Sequence, residues 1–141
     1  MDENKIIHFL IVDDDEVDRE FIRRSFKKEN ITNPLIEAEN GLEAINFLKT
    51  KDGEYLEKNP IIVLLDLNMP IMGGIEFLSK LREEPKNKKV IVLVMTTSDD
   101  IRDKQKAYDY NIAGYIVKGK VIDDVPESIS IIKAYMKLIN E

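Results

Sequence analysis

Cysteine is absent from this chain, and histidine occurs once. The missing thiols exclude disulfides, thiolate metal sites and thiol nucleophiles, and they accord with a reducing cytoplasm. No apolar run approaches the roughly 18 residues needed to span a bilayer. The opening segment MDENKIIHF is acidic, without the basic start and long apolar stretch of a secretory signal. Positive charge is in deficit: 21 Lys and Arg face 27 Asp and Glu, for a net charge of -6. A domain that grips nucleic-acid phosphates should be basic, so neither nucleic acid nor a membrane is an expected partner. Neither a P-loop nor a GxGxxG follows the first apolar run, which disfavours a nucleotide binder. Internal repeats, low-complexity tracts and interdomain linkers are lacking too.

What remains is a globular pattern. The 141 residues, 43% hydrophobic and 34% charged, suit one domain spanning 1–141, with no output domain expected after the last helix. Ile6 to Val12, Ile61 to Leu65 and Val90 to Met95 are nearly continuous apolar runs rich in β-branched residues. Such runs predict strands buried on both faces of a parallel sheet. Leu35 to Ala38 and Tyr115 to Val117 are weaker strand candidates nearer the edges. Helix-period segments separate them. Val17, Phe21, Ile22 and Phe26 are read as the apolar face of the first, after the cap-like Asp15. Ala44, Ile45 and Leu48 mark the second, and Ile75, Leu78 and Leu81 the third, which ends before Pro85. Ile101 to Tyr110 carries only a thin stripe, and Val125, Ile129, Ile132, Met136 and Ile139 line the last. Lys51 to Asn59 reads as a long surface loop. Five βα units in this order predict an α/β fold with a doubly wound, five-stranded parallel sheet.

In an open parallel sheet, ligands sit beyond the carboxyl ends of the strands. Strand one exits into Asp13, Asp14 and Asp15, strand three into Asp66, strand four into Thr96, Thr97 and Ser98, and strand five into Lys118. Carboxylates brought together repel one another, and a hard divalent cation with oxygen ligands relieves that. A lysine and hydroxyls on the same rim would serve phosphoryl oxygens, so the set reads as a phosphoryl-transfer site with a carboxylate nucleophile. Each residue alone has a plainer reading. Asp15 reads as a helix cap, Asp66 alone as a loop carboxylate, Lys118 alone as a surface lysine, and Thr96 alone as a strand-end hydroxyl. His8 reads as a packed strand residue, and Met69 and Met72 as loop packing.

The segments FLIVDDDEVDR, VLLDLNMPIMGG, VLVMTTSDD and AGYIVKG resemble, in order and spacing, the motif set of the response-regulator receiver family. The resemblance covers essentially the whole chain and implies a flavodoxin-like sheet of order 2-1-3-4-5. It implies Asp66 as phosphoacceptor and a Mg2+ site formed by Asp13, Asp14, Asp66 and the main-chain carbonyl of Asn68. In that scheme Asp14 ligates directly and Asp13 acts through water. Thr96 and Lys118 match the phosphoryl-contacting pair, and Tyr115 the aromatic switch that follows Thr96. A histidine kinase or histidine phosphotransfer protein would be the donor, and a downstream protein the target. The long loop after helix two and the Thr96-Thr97-Ser98 run are similar to the phytochrome-associated single-domain subgroup. Two positions depart from the family pattern. Gly119 follows Lys118 where proline is usual, and a cis bond there would cost roughly 2.5–4 kcal/mol, which predicts a trans or mobile segment. Gly73 stands where an acidic residue often precedes the glycine.

Two rivals are weaker. A haloacid-dehalogenase-type phosphatase also uses an aspartate on a doubly wound sheet, but it needs an acid two residues on, where this chain has Asn68. An unphosphorylated receiver-like adaptor would not need the intact acid cluster. On the last helix, Ile131, Tyr135 and Leu138 form a second apolar stripe. Its centre lies roughly 110° from the first at about 100° per residue, and it predicts an isologous dimer or a target-binding face.

Overall fold

The continuous β-branched runs form the middle of a five-stranded parallel sheet. The computed structural model describes residues 6–50, 59–118 and 124–140, with side chains in the last helix from 129 to 139. The strands are β1 (His8–Val12), β2 (Leu35–Ala38), β3 (Ile61–Leu65), β4 (Ile91–Thr96) and β5 (Gly114–Val117), in the order β2-β1-β3-β4-β5. The helices are α1 (Glu16–Lys28), α2 (Gly41–Leu48), α3 (Gly74–Glu83), α4 (Ile101–Asp109) and α5 (Asp124–Asn140), with a 3-10 turn at Pro85–Asn87. Every strand pair is parallel, as the predicted βα alternation requires. β1 begins two residues later than its apolar run, at His8 rather than Ile6. The stretch read as a surface loop lies, through residue 58, outside the described residues.

Successive side chains of a strand point to opposite faces, and two cores result. On one face Leu10, Val12, Val63, Leu65, Val92 and Val94 pack with Ala44, Leu48, Phe77, Leu78 and Leu81 from α2 and α3. On the other, Phe9, Ile11, Ile62 and Leu64 pack with Ile22 and Phe26 of α1 and Ile129 and Ile132 of α5. There the Phe9 and Phe26 rings meet edge to face at 4.8 Å, a geometry favoured by the ring quadrupoles.

The face of α1 differs from expectation. Val17 and Phe21 are 73% and 54% exposed, while Arg19, Ile22 and Phe26 are buried. At about 100° per residue the latter three fall within one narrow sector, with Val17 and Phe21 on nearly the opposite side. Arg19 enters the buried sector because its charge is met there. Its guanidinium donates to Glu16, Glu37 and the carbonyl of Asp13. The thin stripe of α4 is confirmed, with Ala107 its buried residue. On α3, Phe77 is buried alongside Leu78 and Leu81, and Ile75 is only half-buried.

Candidate phosphoacceptor and metal site

Strand register builds the site. Val12 pairs with Leu65, and Leu65 with Val94, so Asp13 and Asp66 leave adjacent central strands at the same level. The Asp66 N–H donates to the Val12 carbonyl at 2.9 Å. Thr96 ends β4 fully buried, opposite Val117, and the Lys118 N–H donates to its carbonyl at 2.7 Å. The four strand ends read from the sequence therefore share one rim.

Asp13, Asp14 and Asp66 each offer a carboxylate oxygen, and these three oxygens lie within 4.8 Å of one another. Trans ligands on an octahedral Mg2+ sit about 4.2 Å apart, so this spacing fits a single divalent cation. Asp13 is buried and Asp14 exposed. The Asp13 carboxylate accepts from the Asp15 N–H at 2.9 Å and from Lys118 Nζ at 2.8 Å. Burial pushes its pKa up, and the Lys118 and Asp15 hydrogen bonds only partly offset that. Burial works to lower Lys118, but hydrogen bonds to Asp13 and Asp18 and the charge of Asp66 outweigh it and leave the ammonium pKa raised. Both values rise, for different reasons: burial disfavours the charged carboxylate of Asp13, whereas the neighbouring acids favour the charged ammonium of Lys118.

Asp18 was not among the residues read from the sequence, yet its carboxylate accepts from Lys118 Nζ at 2.9 Å. The available signal was its spacing. It lies five residues after Asp13, on the first turn of the helix that leaves the same rim.

The loop after Asp66 is held from several sides. Asp66 Oδ1 accepts from the Asn68 N–H at 3.3 Å. The Met72 N–H reaches the Pro70 carbonyl at 2.7 Å around Ile71, whose φ is 69°. This is the rarer, strained hand of γ-turn, unusual for a β-branched residue. Gly41 at the start of α2 donates to Met72, and Gly74 at the start of α3 donates to Leu67, both at 2.9 Å. A Cβ on Gly74 would come within 2.6 Å of the Asp66 carbonyl, so only glycine fits.

Ser98 links Thr96 and Tyr115. Its N–H donates to Thr96 Oγ1 at 3.4 Å and its carbonyl accepts from the Tyr115 hydroxyl at 2.9 Å. Its own hydroxyl donates to Asp103 of α4 at 2.5 Å. Lys104 lies 5.7 Å from the centre of the half-buried Tyr115 ring, within cation–π range. Elsewhere, Ile131 and Leu138 are 39% and 66% exposed, whereas Tyr135 packs partly against the α1–α5 core. Tyr135 lies nearest of the three to the buried sector of α5, which accounts for its position. Asp15 caps α1, accepting from the Val17 N–H at 2.8 Å, and His8 is buried with Nδ1 2.8 Å from the Ile6 carbonyl. Gly119 lies outside the described residues.

A doubly wound parallel sheet with three acids, a hydroxyl and a lysine on its carboxyl rim defines an acidic phosphoryl-acceptor class of domain. Residues 9–130 match the response regulator receiver domain, and the chain belongs to that family. It is 31% identical over 127 residues to the response regulator Rcp1 of Synechocystis sp., spanning 89% of this chain and 86% of that protein. The crystal structure of the Mn2+-bound form of Rcp1 superposes with a TM-score of 0.75 at 30% identity, over 92% of this chain and 93% of that one. The phosphorylated cyanobacterial phytochrome response regulator RcpA gives a TM-score of 0.78 at 25% identity, over 93% of each chain. This is a receiver domain of two-component signalling, in whose family phosphorylation falls on an aspartate. Its acid cluster and the Mn2+-bound relative point to divalent-metal binding. Among the described residues, no helix is long and apolar enough to cross a membrane.

Proposed function

We propose that Asp66 is the phosphoacceptor and that Asp13, Asp14, Asp66 and the main-chain carbonyl of Asn68 hold Mg2+. The observation that carries this reading is the convergence of the three carboxylates within 4.8 Å, with Lys118 reaching the same cluster. When bound, the cation supplies positive charge against phosphoryl oxygens. An Asp66 carboxylate oxygen attacks the phosphorus of a phosphohistidine on a kinase or phosphotransfer protein. The new O–P bond forms as the P–N bond breaks, and the imidazole leaves with the electron pair. The Thr96 hydroxyl and the Lys118 ammonium meet the remaining oxygens. Thr96 moves toward the phosphoryl group and Tyr115 follows, shifting the population between two surfaces of α4, β5 and α5. The Ser98 contacts to both residues support that coupling. The domain acts in the cytoplasm as a signalling acceptor, without nucleic acid or membrane, and does not turn over external phosphate esters.

Incubation with acetyl phosphate and Mg2+ should add one phosphoryl group, labile to hydroxylamine, and Asp66→Asn should abolish it. Undiminished labelling of that variant places the acceptor elsewhere. Mg2+ should raise the melting temperature by ligand linkage, and Asp14→Ala should remove most of that rise.

A further inference from the structure

Among the described residues, Lys118 is the lysine that reaches the acid cluster, and it is badly placed to hold itself in position. It leaves β5, an edge strand whose four residues are all half-buried, on a flexible four-carbon stem. Its ammonium has three donors, of which one goes to Asp13 and one to Asp18, at 2.8 and 2.9 Å. The two carboxylates differ in kind. Asp13 is shared between Lys118, the Asp15 N–H and the proposed cation site with Asp14 and Asp66. Asp18 lies outside that acid group, and among the described residues its carboxylate is met by the lysine. It stands on the first turn of α1, whose packing through Ile22 and Phe26 makes the backbone a firm support. Its side chain is 37% exposed against 4% for Asp13.

We infer that Asp18 is a positioning residue, which anchors the Lys118 ammonium at the rim so that its remaining donors meet the phosphoryl oxygens. This rests on the reading of Asp66 as phosphoacceptor. Asp18 touches neither the phosphoryl group nor the cation and acts only through Lys118. A plain first-turn acid would stabilise α1 by its charge alone and would not act through the lysine.

The test uses the full chain with Mg2+ and beryllofluoride, a phosphoryl mimic. Asp18→Asn should weaken beryllofluoride binding about five- to tenfold, the loss expected for one charged hydrogen bond at a partly exposed site. The Mg2+ dissociation constant should stay within about twofold, since Asp18 bonds no proposed ligand directly and Asp13 keeps its bond from the Asp15 N–H. In a Lys118→Met background the same substitution should have no further effect, because the residue through which Asp18 acts is gone. The side-chain ammonium signal of Lys118 in 15N spectra should be retained in the parent protein and broadened by exchange in Asp18→Asn. Unchanged or tighter beryllofluoride binding overturns the anchor, as does an equal loss in the Lys118→Met background. Should the parent protein take neither beryllofluoride nor a phosphoryl group, the reading of Asp66 falls. The Lys118 signal then decides alone, and its persistence in Asp18→Asn overturns the anchor.

Discussion

Gly74 shows how tightly one residue constrains Asp66, the proposed acceptor. The space beside it is filled by backbone, the Asp66 carbonyl at 2.6 Å and Leu67 Cα at 2.7 Å, which cannot rotate away as a side chain could. Gly74→Ala should therefore lower stability by about 1–3 kcal/mol, the usual cost of overpacking. It should also slow acetyl-phosphate labelling, because the displaced strand end carries the proposed nucleophile. Urea titration beside labelling kinetics checks both, and an unperturbed variant would mean that the loop yields freely. Residues of this kind divide into legible and illegible. Asp13, Asp14, Asp66, Thr96 and Lys118 could be read because each ends an apolar strand run or lies within two residues of its end, and strand ends face the ligand rim. Arg19, Asp18 and Ile71 could not be read in the same way. A charged residue enters a core only when partners from other elements meet it, and for Arg19 those include Glu37 of β2. The left-handed φ of Ile71 comes from loop closure through Met72 and Pro70, which no propensity anticipates.

At the scale of elements, the helices are held unequally. α4 buries only Ala107, so its caps carry more of its stability than packing does. Asp100 caps it, accepting from the Arg102 N–H at 2.8 Å. Hydrogen bonds from the Arg102 side chain and backbone hold the Asp100 carboxyl down from 3.8 to about 2. A depressed carboxyl contributes stability that is fully present above its unfolded value and is lost as pH falls through its folded value. Asp100→Ala should thus be less stable than the parent at neutral pH, with the difference shrinking between about pH 4 and pH 2. Thermal melts across that window test this, and a difference independent of pH would rule out the cap charge as its source. α1 gives the clearest lesson in legibility. Its four apolar residues occupy two sectors, and stepping at about 100° per residue separates Val17 and Phe21 from Ile22 and Phe26. Apolar content alone does not reveal which sector meets the sheet. The strands were easier, since a sheet covered on both faces leaves no polar alternation to misplace.

For the molecule as a whole, the two faces of the sheet divide the labour. One is covered by α2, α3 and α4, the other by α1 and α5. The exposed Ile131 and Leu138 flank the partly buried Tyr135 on α5, whose hydroxyl lies 3.4 Å from the Ala113 carbonyl just before β5. If this stripe joins two copies, sedimentation with Mg2+ and beryllofluoride should reveal a dimer, and Tyr135→Glu should break it while Asp66 is still phosphorylated. A variant that unfolds instead assigns Tyr135 to the core, whereas a folded monomer that behaves as the parent does removes α5 as the interface.

The purely parallel sheet also has a consequence in time. No two neighbouring strands can be joined by a hairpin, so every ladder must wait for a crossover to be completed. β1 lies inside the sheet, and its pairing with β3 cannot form until Leu65 exists. A nascent chain that has reached only α2 holds β1 with one edge unpaired, and that edge carries the buried run HFLIV. Non-local pairing of this sort slows folding and prolongs the exposure of such edges. The arrangement that places Asp13 beside Asp66 thus leaves the site unassembled until the middle of the chain has been made, and it makes the interval before β3 the period of greatest risk of aggregation.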